Sequence, residues 1–253
     1  TFNDIVKNIK ANQTAVNFIK NKIYSTVKNK KYADILTNFD HPFTAKRPTL
    51  NTNYYEMFNK KNVELVDLKQ SPIVKITKRG IKTKKGEYIL DKIIFATGFD
   101  ALTGSILKLN ITGKKGINLS KFWSKGPKSF LGLLVPNFPN LFIVSGPGSP
   151  SVLTNVPVQI EQHVNWITNC IKYLEKNRKK SIETTNLAAK KWQKEIMNLV
   201  KKTLFMKAKS SWYKGDNIPG KPKTFLPYPG GMPKYKSECI KVEKNKYKEL
   251  KIS

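Results

Sequence analysis

The sequence predicts an α/β protein, and three observations support this fold class. Short β-type apolar runs fill residues 63–95, amphipathic helical patterns lie on both sides of them, and no internal repeat divides the chain. The 253 residues suffice for one large domain or two modest ones, and a composition that is 39% apolar can supply a core. No apolar run approaches the roughly 18 residues of a transmembrane helix, so we expect no membrane span.

Three segments are predicted to be helical from apolar residues at helical spacing. Residues 2–35 predict one long helix or two short ones with a lysine-lined outer face, and residues 40–43 then form a loop. Further helices are expected at about 157–175 and 184–204. The inner face of the helix at 157–175 is predicted to consist of Val158, Ile160, Val164, Ile167 and Ile171.

Four apolar runs predict strands, at residues 63–66, 73–76, 88–95 and 141–144. Arg79-Gly80 and Lys85-Gly86 supply turns between the second and third. Residues 210–235 are dense in Pro, Gly and aromatic residues, which predicts an irregular but ordered segment.

The net charge of +30 raises the possibility of nucleic-acid binding, because Lys and Arg displace counterions from phosphates. However, Arg47, Arg79 and Arg178 are the only arginines, and the lysines are spread over the whole chain. Nucleic-acid readers favour arginine for its bidentate fork. We therefore expect a solvated, lysine-rich surface and no specific nucleic-acid partner, with a basic nucleic-acid-binding module as the minority alternative.

The cysteines and histidines predict no metal site. Cys170 and Cys239 match no metal or redox spacing, and His41 and His163 are too scattered to be ligands. Two reduced thiols in a cytoplasmic protein are the simplest interpretation. His163 is expected to be a structural histidine.

The segment Asp91–Gly98 carries the most informative pattern. It reads as a buried apolar strand that ends in the small residues Ala96, Thr97 and Gly98, which would let a ligand approach the backbone at the carboxyl end of the strand. A tight turn without a ligand gives the same short pattern. The continuation Asp100–Gly104 makes the string far more specific.

The longer string resembles the strand-to-loop crossing of flavoproteins with two dinucleotide-binding domains, in the version found in Baeyer–Villiger monooxygenases. Other segments match this family in the same order, from about residue 11 to the end: residues 46–48 and 53–59, 138–150, 160–166, and 211–222. The resemblance implies the C-terminal portion of such a flavoprotein with an N-terminal helical insert segment. Residues 1–45 would end the insert, 46–93 would form the return half of the NADPH-binding domain, and 94–253 would form the C-terminal part of the FAD-binding domain.

The resemblance also assigns roles to the NADP side of the site. Arg47 would be the catalytic residue, stabilising the negative charge that develops on oxygen, and would also contact NADP. Lys46 would bind the phosphate or ribose of NADP, and Trp212 would touch the same cofactor. By composition alone, Lys46 and Arg47 could equally be two solvated charges, and Trp212 a core aromatic.

On the flavin side, the resemblance assigns Ala96, Thr97, Gly98, Asn155 and Val156 to FAD. The loop at residues 146–151 fails as a phosphate-binding fingerprint, because its third glycine position is a serine and its two prolines lack amide hydrogens. We expect a rigid bulge there that sets the face of the flavin ring. The helix that follows would direct its amino end at the flavin.

The family's two Gly-x-Gly-x-x-Gly fingerprints do not occur in the sequence. The expected function is therefore that of a fragment of an FAD- and NADPH-dependent monooxygenase, which uses O2 to convert a ketone into an ester or lactone. Its expected partner is a missing N-terminal half, and the fragment alone is expected to be inactive. Two alternatives remain besides the nucleic-acid module: a flavin monooxygenase acting on nitrogen or sulfur, and a non-catalytic scaffold.

Overall fold

Helices dominate the chain, and two small antiparallel sheets accompany them. The computed structural model describes residues 4–253. The helices are α1 (Ile9–Thr26), α2 (Lys30–Leu36), α3 (Gly104–Leu107), α4 (Leu119–Phe122), α5 (Val156–Lys176), α6 (Asn186–Val200) and α7 (Met232–Lys244). The strands are β1 (Ile73–Thr77), β2 (Gly80–Thr83), β3 (Glu87–Ile89), β4 (Ile182–Thr184) and β5 (Leu250–Ile252).

The amino-terminal part forms two helices, α1 of 18 residues and α2 of seven, and the first begins at Ile9 rather than near residue 2. Residues 2 and 3 of the prediction lie outside the described residues. Asn8 caps α1 by accepting a hydrogen bond from the backbone N–H of Lys10, and Asn29 caps α2 by accepting one from Tyr32. The two helices share a small apolar cluster with the 3-10 turn Glu56–Asn59. Its buried members are Ile23, Val27, Ala33 and Phe58.

The predicted strand at residues 73–76 is confirmed as β1, which pairs with β2 and then β3 in one antiparallel sheet. The predicted strand at 63–66 is wrong. Val63 and Leu65 instead pack as irregular chain against the cluster around Phe58. Their apolar side chains pack against this cluster, but no neighbouring backbone pairs with the segment, so it does not form a strand.

The prediction of a buried strand through residue 95 is also wrong. Strand β3 ends at Ile89, and the following segment is irregular and exposed, with Ile94 91% and Phe95 67% accessible to solvent. A buried strand needs a neighbouring strand on each side, and the described part of the chain places none beside this segment.

The run at 141–144 makes only an isolated bridge between Phe142 and Leu134, so the predicted strand is wrong there too. Asn140 and Ser145, which flank it, adopt left-handed backbone conformations with φ of 58° each. These reversals confine the extended stretch to four residues that cross the loop at 130–135.

The largest core lies between α5, α6 and α7, and the predicted helices at 157–175 and 184–204 are confirmed as α5 and α6. Strands β4 and β5 close one end of this core. It includes the buried aromatic residues Phe130, Trp166, Trp192, Phe205, Tyr213, Phe225, Tyr228, Tyr235 and Tyr247. The irregular segment expected at 210–235 contributes several of them.

The predicted inner face of α5 is wrong. The buried residues are Gln159, His163, Trp166, Cys170 and Leu174. Of the predicted apolar set, four members are exposed and one is partly buried: Val158, Ile160, Val164, Ile171 and Ile167. Both sets have helical spacing. Gln159 and His163 are accommodated in the core because each forms a hydrogen bond with Ser145 of the preceding loop, which a periodicity argument does not detect.

Cys170 and Cys239 are both free and buried, as expected for reduced thiols, and the cytoplasmic placement stays a prediction. Across residues 4–253, no helix is both long enough and apolar enough to cross a bilayer. The same residues hold no cluster of three potential metal ligands. The proposed division of the chain at residues 45 and 93 also stays a prediction.

Candidate functional site

The guanidinium of Arg47 lies at the amino end of α5. It donates a hydrogen bond to the carbonyl oxygen of Val152, in the 3-10 turn that immediately precedes this helix. Arg47, Val152 and Tyr213 line a cleft of about 340 Å³. Burial raises the pKa of Tyr213, and the charge of Arg47 acts in the opposite direction. The structure thus fixes a cation beside the cleft while leaving Arg47 exposed to solvent.

Lys46 forms an ion pair that the sequence did not reveal. Its ammonium lies 3.2 Å from Oδ1 of Asp40, which also accepts a hydrogen bond of 2.7 Å from Nδ1 of His41. The hydrogen bond from His41 is the largest cause that lowers the pKa of Asp40 to about 2, and Lys46 adds to it. His41 and Lys46 line a second, smaller cleft of about 160 Å³, which Arg47 also lines. A phosphate at Lys46 would have to compete with Asp40.

The loop that carries Trp212 is tied to the same region. The hydroxyl of Ser211 donates to the carbonyl oxygen of Ala45 over 2.9 Å, one residue before Lys46. The carboxylate of Asp216 closes the loop by accepting a hydrogen bond of 2.7 Å from the Ser211 amide. Trp212 is partly buried and packs edge-on against Tyr213, with ring centroids 4.7 Å apart. The structure therefore brings the segments bearing Lys46, Arg47 and Trp212 together.

Buried side chains hold the loop at residues 145–150 in one conformation. Nδ1 of His163 accepts a hydrogen bond of 3.0 Å from the Ser145 amide, and the indole N–H of Trp192 donates to the Gly148 carbonyl over 2.9 Å. Gly148 has φ of 95°, and a Cβ there would lie 2.8 Å from the hydroxyl oxygen of Ser129. Burial lowers the pKa of His163 to about 4, so the ring is neutral and can accept this hydrogen bond.

The flavin-side residues fall into two groups. Asn155 is the N-cap of α5 and accepts a hydrogen bond of 3.4 Å from the amide of Val158, while Val156 is the first residue of the helix. Residues 96–98, in contrast, are exposed and irregular, and Gly98 has φ of 86° with open space around it. The neighbouring Asp100 has a carboxylate that contacts the ammonium of Lys221, nine residues after Trp212.

Comparison with known proteins identifies the family. Over 253 residues the chain is 42% identical to cyclohexanone 1,2-monooxygenase of Acinetobacter sp., a match that covers 100% of this chain and 46% of that protein. The crystal structure of OTEMO in complex with FAD and NADP superposes with a TM-score of 0.94 at 36% identity, covering 100% of this chain and 46% of that one. The chain is homologous over its whole length to Baeyer–Villiger monooxygenases. The expected resemblance is confirmed.

The match is not confined to enzymes named for ketones. Phenazine N-monooxygenase PhzNO1 of Lysobacter antibioticus is 39% identical over 243 residues, which cover 96% of this chain and 44% of that protein. The chain spans a little less than half the length of the curated relatives it matches. No family model matches the sequence.

The residues present fit part of each dinucleotide cofactor. The rigid loop at 145–150 and the amino end of α5 offer a surface for a flavin ring, and the basic pair with Trp212 offers charge and an aromatic face for NADP. A glycine fingerprint that would cradle a pyrophosphate is absent from the sequence. The donor set therefore suits the ring ends of the cofactors and offers Lys46 to NADP, but it includes no cradle for either pyrophosphate.

Proposed function

We propose that this chain forms the C-terminal portion of an FAD- and NADPH-dependent, two-dinucleotide-binding-domain monooxygenase that inserts one oxygen atom of O2 into a ketone to give an ester or lactone. The observation that carries the proposal is the position of Arg47. The chain is homologous to Baeyer–Villiger monooxygenases, and the guanidinium of its Arg47 is hydrogen-bonded to the Val152 carbonyl, beside the amino end of α5. Reduced flavin, when bound, supplies the activation of O2.

The role of Arg47 follows from charge and geometry. Oxygenation of a ketone builds negative charge on oxygen. A cation that is already in position stabilises this charge, because it does not have to move as the charge develops. The hydrogen bond to Val152 occupies one nitrogen, which leaves other N–H groups of the guanidinium for the cleft. We assign Arg47 as the catalytic residue for this reason.

The NADP side is built from the segments that Ser211 joins. Lys46 would bind the phosphate or ribose of NADP once its ammonium turns from Asp40, and Trp212 would pack against the cofactor. Asn155 and Val156 would meet the flavin ring, with residues 96–98 as a further flavin contact. The pyrophosphate cradles would come from a missing N-terminal half, so that this chain alone is inactive.

A chimera tests this function directly. This chain replaces the matched 46% of the Acinetobacter cyclohexanone 1,2-monooxygenase. The chimera is expected to bind FAD, oxidise NADPH and convert cyclohexanone into the seven-membered lactone, which gas chromatography detects. A folded, FAD-bound chimera that consumes NADPH and forms no lactone would contradict the proposal.

Oxygenation of a nitrogen atom is the second candidate, because a phenazine N-monooxygenase is 39% identical. The same chimera distinguishes the two reactions when it is offered a phenazine and a cyclic ketone side by side. A faster N-oxide than lactone reaction would favour the second candidate. The role of Arg47 favours the first, since attack on nitrogen leaves no carbonyl-derived oxyanion to stabilise.

A further inference from the structure

Helix α5 has a second apolar arc that the described chain leaves uncovered. Val156, Ile160, Val164 and Ile171 follow one another at helical spacing and are 37–47% exposed. This arc lies beside the buried face that contains His163. Val144 extends it, since it is 43% exposed and precedes Ser145, whose amide is bound to His163.

The sequence around this arc differs sharply from the rest of the chain. Of 253 residues, 47 are lysine or arginine, and yet none occurs between Ser129 and Ile171. Glu161 is the one acidic residue in that stretch. Elsewhere the exposed surface is covered with lysine. An uncharged, apolar, exposed helix face in so basic a chain is the composition of a surface that is buried in an assembly.

We propose that the part of this arc formed by Val144, Ile160, Val164 and Ile171 is the docking surface for the N-terminal half of the monooxygenase, the polypeptide that the relatives possess beyond their match to this chain. Val156, at the end of the arc, stays assigned to the flavin. The inference rests on the proposed function. More than half of each relative lies outside the match, while the matched part shares this fold with a TM-score of 0.94. A second copy of this chain fits the arc poorly, because it would bring two charges of +30 together.

Thiol labelling tests this surface, because the two native cysteines are not expected to react in the folded chain. Cys170 and Cys239 are fully buried, and burial raises the pKa of each thiol to about 12, so that a maleimide finds neither in the folded chain. Val164→Cys places a thiol in the arc. Val158→Cys is the matched control, on another side of the same helix, where Val158 is 50% exposed beside α7.

Both variants are labelled in the isolated chain and in the chimera with the Acinetobacter enzyme. Val164→Cys is expected to react at least roughly tenfold more slowly in the chimera than in the isolated chain, because contact excludes the reagent. Val158→Cys is expected to react at similar rates in both. If Cys170 and Cys239 react in the chimera, it has not folded, and the comparison is made on a mixture of this chain with the separately expressed other half.

Equal labelling of Val164→Cys with and without the other half, in both formats, overturns the proposal. Protection already in the isolated chain, with a dimer in sedimentation, also overturns it in favour of a second copy. The proposed function is judged separately by lactone formation. An inactive chimera in which Val164→Cys is protected would contradict that function and support the surface.

Discussion

Arg47 and Val152 are 105 positions apart in the sequence, and the guanidinium of the first is hydrogen-bonded to the carbonyl oxygen of the second. The contact joins the basic pair to the turn that opens α5. It also holds Arg47 beside the cleft that Tyr213 lines.

Arg47→Ala in the chimera is expected to lower lactone formation by roughly a hundredfold or more, the effect of losing one preorganised charge-stabilising group. FAD binding is expected to persist, and NADPH is expected to be consumed with release of hydrogen peroxide. Arg47→Lys should rescue poorly, because an ammonium cannot replace a planar fork. Lactone yield per NADPH is the measurement, and Arg79→Ala, which removes an exposed pair with Glu87, is the control. Unchanged yield in Arg47→Ala would make Arg47 a surface charge.

The isolated chain is expected to be colourless after purification. No glycine fingerprint is present to cradle a pyrophosphate, and such a loop supplies much of the affinity for a dinucleotide. Visible absorbance after gel filtration in excess FAD measures the retained flavin, with the chimera as the positive control. Stoichiometric, tightly held FAD in the isolated chain would contradict the prediction.

Mild acid is expected to destabilise the chain through His163. Its pKa falls from 6.5 to about 4 on folding, so the unfolded chain takes up a proton more readily between these values. Neutral His163 therefore contributes to the free energy of unfolding fully above pH 6.5. This contribution is lost as the pH falls toward 4, a change of about 3 kcal/mol. Urea unfolding at pH 7 and at pH 4.5 measures it. His163→Gln should be less stable at pH 7 and much less sensitive to pH.

The carboxylate of Asp40 does not interfere in this pH window. Its pKa is lowered to about 2, so its contribution is lost only as the pH falls below its ordinary value of 3.8. A variant at position 163 that keeps the full loss of stability between pH 7 and 4.5 would assign the effect to another group.

Ser211→Ala is expected to cost about 1–3 kcal/mol of folding stability, because it leaves the carbonyl of Ala45 without its partner. In the chimera it should also raise the KM for NADPH, since Ser211 ties the Trp212 loop to Lys46. Ser181→Ala, which removes an exposed hydrogen bond to Ser253, should change stability by less than about 0.5 kcal/mol. An unchanged KM would mean that the tie to Ala45 is purely structural.

Apolar periodicity predicted α1, α2, α5 and α6, because the residues that define it lie within a few positions of each other. It did not predict α7, whose first residues, 232–235, fall in the segment that was expected to be irregular. It did not show which apolar arc of α5 is buried. That choice depends on partners distant in sequence, such as the Ser145 amide for His163. The strand at 88–95 was overextended for a related reason, since a buried strand is defined by neighbours that its own residues do not specify.

In the candidate site, too, the sequence indicates some residues, while certain contacts are seen only in the folded structure. The family resemblance supplied Lys46, Arg47 and Trp212, and the structure brings their segments together through Ser211. The pairing of Lys46 with Asp40 could not be predicted, because nothing in a spacing of six residues across a proline-containing loop fixes that geometry. The assignments of Asn155, Val156 and residues 96–98 to FAD stay predictions.

The pairing of β4 with β5 has a consequence for how the chain is made. Residues 182–184 can pair only after residues 250–252 have been synthesised. The amides of Lys180 and Ser181 also donate hydrogen bonds to the carbonyl oxygen of Ser253. Tyr247 and Leu250 also complete the core around α5. A nascent chain that has not yet reached residue 250 contains α5 and α6 but lacks β5, the strand that pairs with β4. We therefore expect this unit to consolidate only after residues 250–252 have left the ribosome.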